Sequence, residues 1–235
     1  MIISDLFLEL IFPKRCAVCD SVLSFGEKEI CEACRGKLKY LNGNVCMKCG
    51  KPVRGEEEYC YDCTKKAHYF KQGAALFPYE YICTSLYKFK YSGRREYAAF
   101  YGRQMAYHMG EKRRLWKPQA LIPVPIHKKK LKKRGYNQAE LIADKLSEYW
   151  NIPVITNLVV RCKNTKPMKE IVGTDRQNNL KKAFKLGVND VKLNTIIIID
   201  DIYTTGSTID AVSKVCLEVG ISNIYFLTVS IGYGL

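Results

Sequence analysis

The stretch IIIIDDIYTTGST, residues 196–208, decides how this sequence folds. Its four isoleucines show no polar alternation, which predicts a central strand over 195–200 that is buried on both faces. A helix is predicted over 208–220, and the strand ends on two adjacent carboxylates, Asp200 and Asp201. Neighbouring acids repel each other, so their position here indicates a role in binding rather than in folding.

Further strands and helices alternate on both sides of this junction. Short apolar runs predict strands over 70–79, 119–126, 152–160 and 223–231, and apolar residues at helical spacing predict helices over 80–93, 95–109 and 137–150. The inward face of helix 137–150 is assigned to Ala139, Ile142, Ala143, Leu146 and Tyr149. The polar segment 163–184 is predicted to be a mobile connection. This alternation predicts an α/β fold with a parallel sheet, whose ligands bind at the carboxyl ends of the strands.

The residues after the acids are suited to an anion. The helix is predicted to begin near Ser207, and a helix N-terminus presents unpaired N–H groups and partial positive charge. Backbone amides and four hydroxyls could therefore bind a phosphate. The residues assigned to this phosphate loop are Thr204, Thr205, Gly206, Ser207 and Thr208. Asp200 and Asp201 could accept hydrogen bonds from the vicinal hydroxyls of a sugar, so the whole stretch predicts a ribose 5-phosphate site. The absence of a Walker loop and of GxGxxG argues against nucleotide hydrolysis and dinucleotide binding.

Eight of the eleven cysteines form four CxxC pairs, a spacing that points two thiolates at one zinc ion. The pairs are Cys16/Cys19, Cys31/Cys34, Cys46/Cys49 and Cys60/Cys63. A secreted disulfide scaffold is the alternative, but no signal-peptide pattern precedes these pairs. We therefore expect structural Zn²⁺ in a reducing, cytoplasmic location. Cys83, Cys162 and Cys216 are predicted to be buried thiols.

The cysteine region contains a repeat. GEKEICEAC (26–34) aligns with GEEEYCYDC (55–63), and RCAVCD (15–20) aligns with VCMKCG (45–50). Each repeat owns two CxxC pairs, which predicts two zinc ions in consecutive sites, although a crossed pairing of ligands stays open. We call residues 15–34 the first zinc unit and residues 45–63 the second zinc unit. A module over 1–66 is expected to depend on its metals for stability, with a second domain over 67–235.

Positive charge is concentrated in one part of the chain. The formal net charge is +15, and residues 88–134 hold 15 Lys and Arg against two acids, a net of +13. Cations bind phosphates and rings stack on bases, so this region is predicted to bind single-stranded nucleic acid. The assigned cations are Lys88, Lys90, Arg94, Arg95, Lys128, Lys129, Lys130, Lys132 and Lys133, and the interleaved rings are Tyr87, Phe89, Tyr91, Tyr97, Phe100, Tyr101 and Tyr136. The alternative is a solvated basic face whose rings lie in the core.

No membrane insertion is expected, because no apolar run approaches the roughly 20 residues that a bilayer requires. The apolar N-terminal segment MIISDLFLELIF, residues 1–12, is predicted to be an amphipathic helix that packs on the protein.

Taken in order, these motifs resemble those of the ComF family of competence proteins, which join a double zinc ribbon to a type I phosphoribosyltransferase-like domain. IIIIDDIYTTGST resembles the family's signature for phosphoribosyl pyrophosphate (PRPP). IPVPIHKKKLKKRGYNQAE (122–140) and TKPMKEIVGTDRQNNLKKAF (165–184) resemble two further blocks, so the resemblance covers essentially the whole chain.

The resemblance implies roles for individual residues. Asp200 and Asp201 would hold the ribose hydroxyls as the catalytic pair, and residues 204–208 would bind the 5-phosphate. Val124, Pro125, Ile126 and His127 would meet the pyrophosphate with Arg134 nearby, and Mg²⁺ would bridge ligand oxygens. Two functions stay open. One is a PRPP-binding protein of DNA uptake that contacts single-stranded DNA and other uptake proteins. The other is an active transferase that places ribose 5-phosphate on a nitrogen base.

Overall fold

The computed structural model describes residues 13–162, 183–187 and 192–232. The predicted N-terminal helix and nearly all of segment 163–184 lie outside these residues. The helices are α1 (Glu32–Arg35), α2 (Tyr61–Lys65), α3 (Tyr79–Tyr91), α4 (Tyr97–His108), α5 (Gly110–Trp116), α6 (Lys128–Arg134), α7 (Gln138–Trp150) and α8 (Ser207–Glu218). The strands are β1 (Gln72–Pro78), β2 (Ala120–Pro123), β3 (Val159–Arg161), β4 (Phe184–Leu186), β5 (Thr195–Tyr203) and β6 (Asn223–Ile231).

The main sheet is parallel throughout and has the order β1-β6-β5-β2. The strand β5 lies inside it, and the side chains of Ile196 to Ile199 are completely buried. Burial of each such isoleucine contributes about 1.5–3 kcal/mol. The predicted α/β fold, a parallel sheet flanked by helices, is therefore confirmed.

The two faces of the sheet are covered by different apolar sets. Ile197 and Ile199 pack with α3, α4 and α7, whereas Ile196 and Ile198 pack with α8, β3 and β4. The first zinc unit joins the former set through Cys16, Ala17 and Ile30. The second zinc unit joins the latter set through Cys46, Cys49 and Cys60. Each unit thus packs against a different face of one sheet.

The predicted inward face of α7 is correct at four positions and wrong at one. The Asn137 side chain accepts a hydrogen bond from the Ala139 amide at 3.3 Å and caps the helix. The predicted inward face is confirmed except for Tyr149, which is 54% exposed, while Trp150 is buried. At 100° per residue, Trp150 points close to the mean direction of the apolar stripe, whereas Tyr149 points about 80° away from that direction.

The predicted strand over 152–160 is wrong in extent. Val154 forms a single parallel bridge with Leu121, and residues 156–158 then bend away from the sheet. The strand β3 pairs antiparallel with β4 in a separate two-stranded sheet. The strand β2 is only four residues long, so it offers a short edge for a fifth strand. Within the described part of the chain, no helix is long and apolar enough to cross a bilayer.

Candidate metal centres and ligand site

The eight paired cysteines form two clusters. In each set the four sulfurs lie within 4.8 Å of one another, with Cys16, Cys19, Cys31 and Cys34 in one set and Cys46, Cys49, Cys60 and Cys63 in the other. The consecutive pairing is confirmed, and the crossed pairing is wrong. All of these cysteines are free thiols, so the disulfide alternative is excluded.

The geometry of the clusters fits zinc. The Cys19 and Cys31 sulfurs are 3.7 Å apart, and those of Cys49 and Cys60 are 3.6 Å apart. Tetrahedral zinc with Zn–S bonds of about 2.3 Å places sulfurs about 3.8 Å apart. The pKa of Cys60 is raised to about 11, mainly by burial and also by the neighbouring sulfurs. A hydrogen bond from the Cys63 amide acts in the opposite direction. A divalent cation removes this penalty by stabilising the thiolates.

The acid pair, Asp200 and Asp201, lies within β5 rather than after it. The strand continues to Tyr203 because β6 is equally long and pairs with it through Ile202 and Tyr203. Successive side chains leave a strand on opposite faces, so the two carboxylates flank the strand. Asp201 forms an ion pair of 2.8 Å with Lys90 of α3. Asp200 accepts a hydrogen bond of 2.8 Å from the Asp201 amide, and burial, followed by the charge of Asp201, raises the pKa of Asp200 to about 7.

Two cations, Lys90 and Arg161, interact with the acid pair, and two more, Lys130 and Arg134, interact with those cations; we call the four the cation cluster. Burial, followed by the charges of Arg161, Arg134 and Lys90, lowers the pKa of Lys130. The pKa of Arg161 is lowered by burial and raised by the charge of Asp200, which places this guanidinium beside that carboxylate. Four interacting cations outnumber the two carboxylates that Lys90 and Arg161 meet, so the net charge of the group favours an anion.

Arg161 was missed by sequence reasoning. It follows the predicted strand over 152–160, but β3 pairs antiparallel with β4 outside the main sheet, so no local signal in the sequence predicted its position. Lys90 and Lys130 were assigned to nucleic acid. The structure pairs Lys90 with Asp201 instead, and Lys130 interacts with the charges of Arg161, Arg134 and Lys90.

The phosphate loop, residues 204–208, joins β5 to α8. Gly206 has a φ of 73°, and a Cβ at this position would lie 2.6 Å from the Tyr203 hydroxyl. The Thr205 and Ser207 hydroxyls are 2.9 Å apart. Among the described residues, no side chain caps α8, so its first amides are oriented toward an incoming acceptor. The loop therefore has the geometry expected of an anion site.

The turn after β2 lies beside the end of β5. The Val124 amide donates to the Ile199 carbonyl at 2.9 Å, and the Asn137 side-chain amide donates to the Val124 carbonyl at 3.1 Å. Pro125 and Ile126 are half-buried, and His127 caps α6 by accepting a hydrogen bond from the Lys129 amide at 3.2 Å. The turn predicted for pyrophosphate therefore adjoins the strand that carries the acid pair.

The cations of the basic region, residues 88–134, fall into two groups: those that contact other side chains of the protein and those that are exposed to solvent. Lys88 and Arg94 contact Asp20 of the first zinc unit at 3.2 and 2.9 Å, and the Arg95 guanidinium lies 5.2 Å from the Tyr136 ring centre. The cations exposed on α6 are Lys128, Lys129, Lys132 and Lys133.

The aromatic residues of this region divide in the same way. Five of the seven rings are buried, namely Phe89, Tyr97, Phe100, Tyr101 and Tyr136, so the alternative interpretation holds for them. Tyr87 and Tyr91 are 60% and 58% exposed, and their ring centres are 5.0 Å apart. The guanidinium of Arg134 lies 5.0 Å from the Tyr91 ring centre, which connects this aromatic pair to the cation cluster.

Comparison with known proteins identifies one matching domain model and several similar proteins. The model of the double zinc ribbon domain matches residues 7–64. Competence protein F of Haemophilus influenzae is 29% identical, over 91% of this chain and 95% of that protein. Competence protein ComFC of Bacillus subtilis is 28% identical, over 87% and 89%. These matches support the resemblance of the chain to ComF-family proteins.

Two further similarities are weaker. The DNA utilization protein YhgH of Escherichia coli K12 is 27% identical, over 90% of this chain and 94% of that protein. A purine phosphoribosyltransferase from Pyrococcus horikoshii shares 15% identity at a TM-score of 0.33, over 57% of this chain and 82% of that chain. The assignment of a parallel sheet rests on the strand pairing itself rather than on this second likeness.

The other three cysteines only partly match the prediction. Cys216 is buried as expected, whereas Cys83 is half-buried and Cys162 is exposed. Cys83 lies on the partly exposed side of α3 and Cys162 directly follows the edge of the small two-stranded sheet, so neither lies in a core.

Metal content gives a direct test of the two centres. Elemental analysis of the purified protein is expected to return two zinc ions per chain. Replacement of Cys31 and Cys34 by serine is expected to leave one ion, because the second zinc unit retains its four thiolates. A wild-type value of one or none would contradict the assignment of two sites.

Proposed function

We propose that this chain is a ComF-family protein that binds PRPP at the carboxyl edge of its sheet and single-stranded DNA on the adjacent surface of α3 and α6, as a cytoplasmic protein of DNA uptake. The observation that carries the proposal is the acid pair, which interacts with Lys90 and Arg161 of the cation cluster and directly precedes the loop to the uncapped N-terminus of α8. Relatives named for competence and DNA utilization support the cellular process. We also propose the division into a zinc module over 1–66 and a PRPP-binding domain over 67–235.

The three chemical parts of PRPP correspond to three features of the site. The 5-phosphate is suited to the amides and hydroxyls of the phosphate loop. The ribose diol can donate to the acid pair, and the diphosphate is suited to the cation cluster and the turn at residues 124–127. Mg²⁺ would be held mainly by ligand oxygens and water, as is usual for this ion with phosphates.

Calorimetry with PRPP and Mg²⁺ tests the proposal. PRPP is expected to bind more tightly than either ribose 5-phosphate or pyrophosphate, because only the intact ligand contacts all three features. Absence of binding by PRPP at millimolar concentration would refute the proposed ligand. Ribose 5-phosphate and pyrophosphate in separate titrations report which half of the site is intact.

The affinity for PRPP is expected to depend on pH. The raised pKa of Asp200 means that its carboxyl is largely protonated below about pH 7 in the free protein. The deprotonated form accepts hydrogen bonds from the diol, so affinity is expected to rise by up to about tenfold between about pH 6 and pH 8. The phosphates of PRPP also titrate near pH 6, so Asp200→Asn is the control, and its profile should be flatter. Parallel profiles would show that Asp200 does not set the dependence.

The exposed surface beside this pocket is suited to a single strand. Four lysines of α6 can contact phosphates, and Tyr87 and Tyr91 can stack on bases. Because Arg134 contacts Tyr91 and belongs to the cation cluster, the proposed strand would pass directly beside the proposed PRPP pocket.

An active phosphoribosyltransferase is the second candidate. The observation in its favour is the acid pair next to the proposed ribose, since carboxylates there stabilise the positive charge that develops on the sugar as pyrophosphate departs. Release of pyrophosphate from PRPP, measured with a panel of nitrogen bases and with single-stranded DNA, tests it. Release only in the presence of one acceptor would establish transfer, and no release with any acceptor would refute it.

A further inference from the structure

A buried carboxylate joins the phosphate loop to the segment that follows the second zinc unit. Asp210 lies in the first turn of α8, and its side chain is 7% exposed. It accepts a hydrogen bond of 3.1 Å from the Tyr69 amide, contacts His68 Nδ1 at 3.0 Å and forms an ion pair with Lys66. All three partners follow Cys63 by three to six residues. The first turn of α8 is thus linked to the segment that directly follows the second zinc unit.

The side chain of His68 packs against the phosphate loop at Gly206. Its side chain is 1% exposed, its ring stacks on Phe70 at 4.7 Å, and its Cε1 lies 3.0 Å from the position that a Cβ on Gly206 would occupy. Nδ1 donates to Asp210, and Nε2 has no hydrogen-bond partner among the residues that the structure describes. Asp210 is therefore the only hydrogen-bond partner of the buried ring among the described residues, and the ring packs directly against the glycine of the loop.

The second zinc unit also reaches the loop through Tyr203. The Tyr203 ring stacks on Phe226 at 4.7 Å and lies 5.9 Å from the buried ammonium of Lys51. The side chain of Lys51 pairs with Asp62, which lies between Cys60 and Cys63. The Tyr203 hydroxyl in turn lies close to Gly206. Two sets of contacts therefore connect the second zinc unit and the segment after it to the phosphate loop, one through Asp210 and His68 and one through Lys51 and Tyr203.

The first zinc unit is anchored elsewhere. Asp20 contacts Lys88 of α3 and Arg94, and it accepts a hydrogen bond from the Tyr97 hydroxyl of α4. Ser85 of α3 donates to the Ala17 carbonyl. These contacts lie on the face of the sheet opposite to α8, and Asp20 has no contact with the phosphate loop in the described part of the chain. Asp20 is therefore a matched control for Asp210, since each is a largely buried aspartate with three donors.

We propose that Asp210 and His68 are positioning residues that hold the phosphate loop for a 5-phosphate, so that phosphate binding there depends on the second zinc unit and not on the first. The proposal rests on the proposed function, because it assigns the 5-phosphate of PRPP to this loop. Amides bind an anion well only when their direction is fixed in advance. Loss of the link lets the first turn of α8 and Gly206 move relative to the acid pair, which remains in β5.

Titrations of Asp210→Asn and Asp20→Asn with three ligands test the proposal. Asp210→Asn is expected to bind ribose 5-phosphate and PRPP at least tenfold more weakly, with pyrophosphate affinity unchanged and two zinc ions retained. Asp20→Asn is expected to bind all three ligands within twofold of wild type. Lys66→Ala removes a partner that is one-third exposed and should fold readily, with a smaller loss confined to the same two ligands.

The outcomes are separable. If wild-type protein does not bind PRPP, the proposed function fails and the positioning role falls with it. If wild type binds PRPP but Asp210→Asn and Lys66→Ala bind ribose 5-phosphate normally, only the positioning role is overturned. Equal losses for ribose 5-phosphate and pyrophosphate would likewise overturn it, because they would indicate a general effect on the fold. Should Asp210→Asn fail to fold, Lys66→Ala decides the matter with the same ligands.

Discussion

Replacement of Asp200 and Asp201 together by asparagine is expected to weaken PRPP binding by at least about 100-fold. A hydrogen bond to a charged group contributes about 1.5–3 kcal/mol, and each 1.4 kcal/mol is a factor of ten in affinity. Asparagine preserves the shape of the side chain but removes the negative charge that the ribose hydroxyls and Mg²⁺ would meet. Calorimetry with PRPP and Mg²⁺ at about pH 8, above the raised pKa of Asp200, measures the loss.

The fold of this variant is expected to remain intact. The pKa of Asp200 is raised above its usual value in the folded state. Between about pH 4 and pH 7 the folded protein therefore binds more protons at this residue than the unfolded chain does. Stability is therefore lost as pH rises through this window, and an uncharged residue at position 200 avoids that loss. The melting temperature at about pH 8 should show no collapse, although Lys90 loses its partner. Asp144→Asn together with Glu148→Gln, two exposed changes on α7, is the control for the loss of two negative charges. Unchanged PRPP affinity in the double variant would show that the acid pair does not bind the ribose.

Removal of the four exposed lysines of α6 is expected to flatten the salt dependence of single-stranded DNA binding. The logarithm of affinity for a single strand falls with the logarithm of salt by about 0.7 for each phosphate contact. Replacement of Lys128, Lys129, Lys132 and Lys133 by alanine should therefore reduce the slope by up to about 3. Fluorescence anisotropy with a labelled oligothymidylate between about 50 and 300 mM salt measures the change.

A second variant with the same loss of charge separates location from net charge. Lys28, Lys37, Lys185 and Lys214 are exposed and lie outside α3 and α6. Their replacement by alanine changes the net charge equally and should leave the slope close to that of wild type. Equal slopes for the two variants would refute the assignment of DNA to α6. Tyr87→Ala and Tyr91→Ala should weaken binding at every salt concentration without changing the slope, because stacking releases no counterions.

Prediction from sequence succeeded where the signal is local. Four CxxC pairs and their repeat predicted two tetrathiolate clusters, because the ligands of each cluster lie within 19 residues of one another. The isoleucine run of β5 and the alternating run of elements predicted a parallel sheet with β5 inside it. The extent of strand 152–160 was wrong, because a strand ends where its partner ends and that partner, β2, is short.

The candidate site was predicted only in part. The acid pair and the phosphate loop adjoin each other in sequence, so a strand-to-helix junction was enough to find them. The cation cluster comes from α3, α6 and β3, which are far apart in the chain, and no local pattern brings Arg161 to Asp200.

The sequence by itself determined which segments become strands, helices and zinc units, since periodicity and ligand spacing act over a few residues. Only the tertiary structure decided which charges meet: Lys90 with Asp201, Asp20 with Arg94, and Asp210 with the segment after the second zinc unit. The physical reason is that a Lys or Asp has the same local propensity whether it faces water or a buried partner. Its partner is set by how the helices and the two zinc units pack on opposite faces of the sheet.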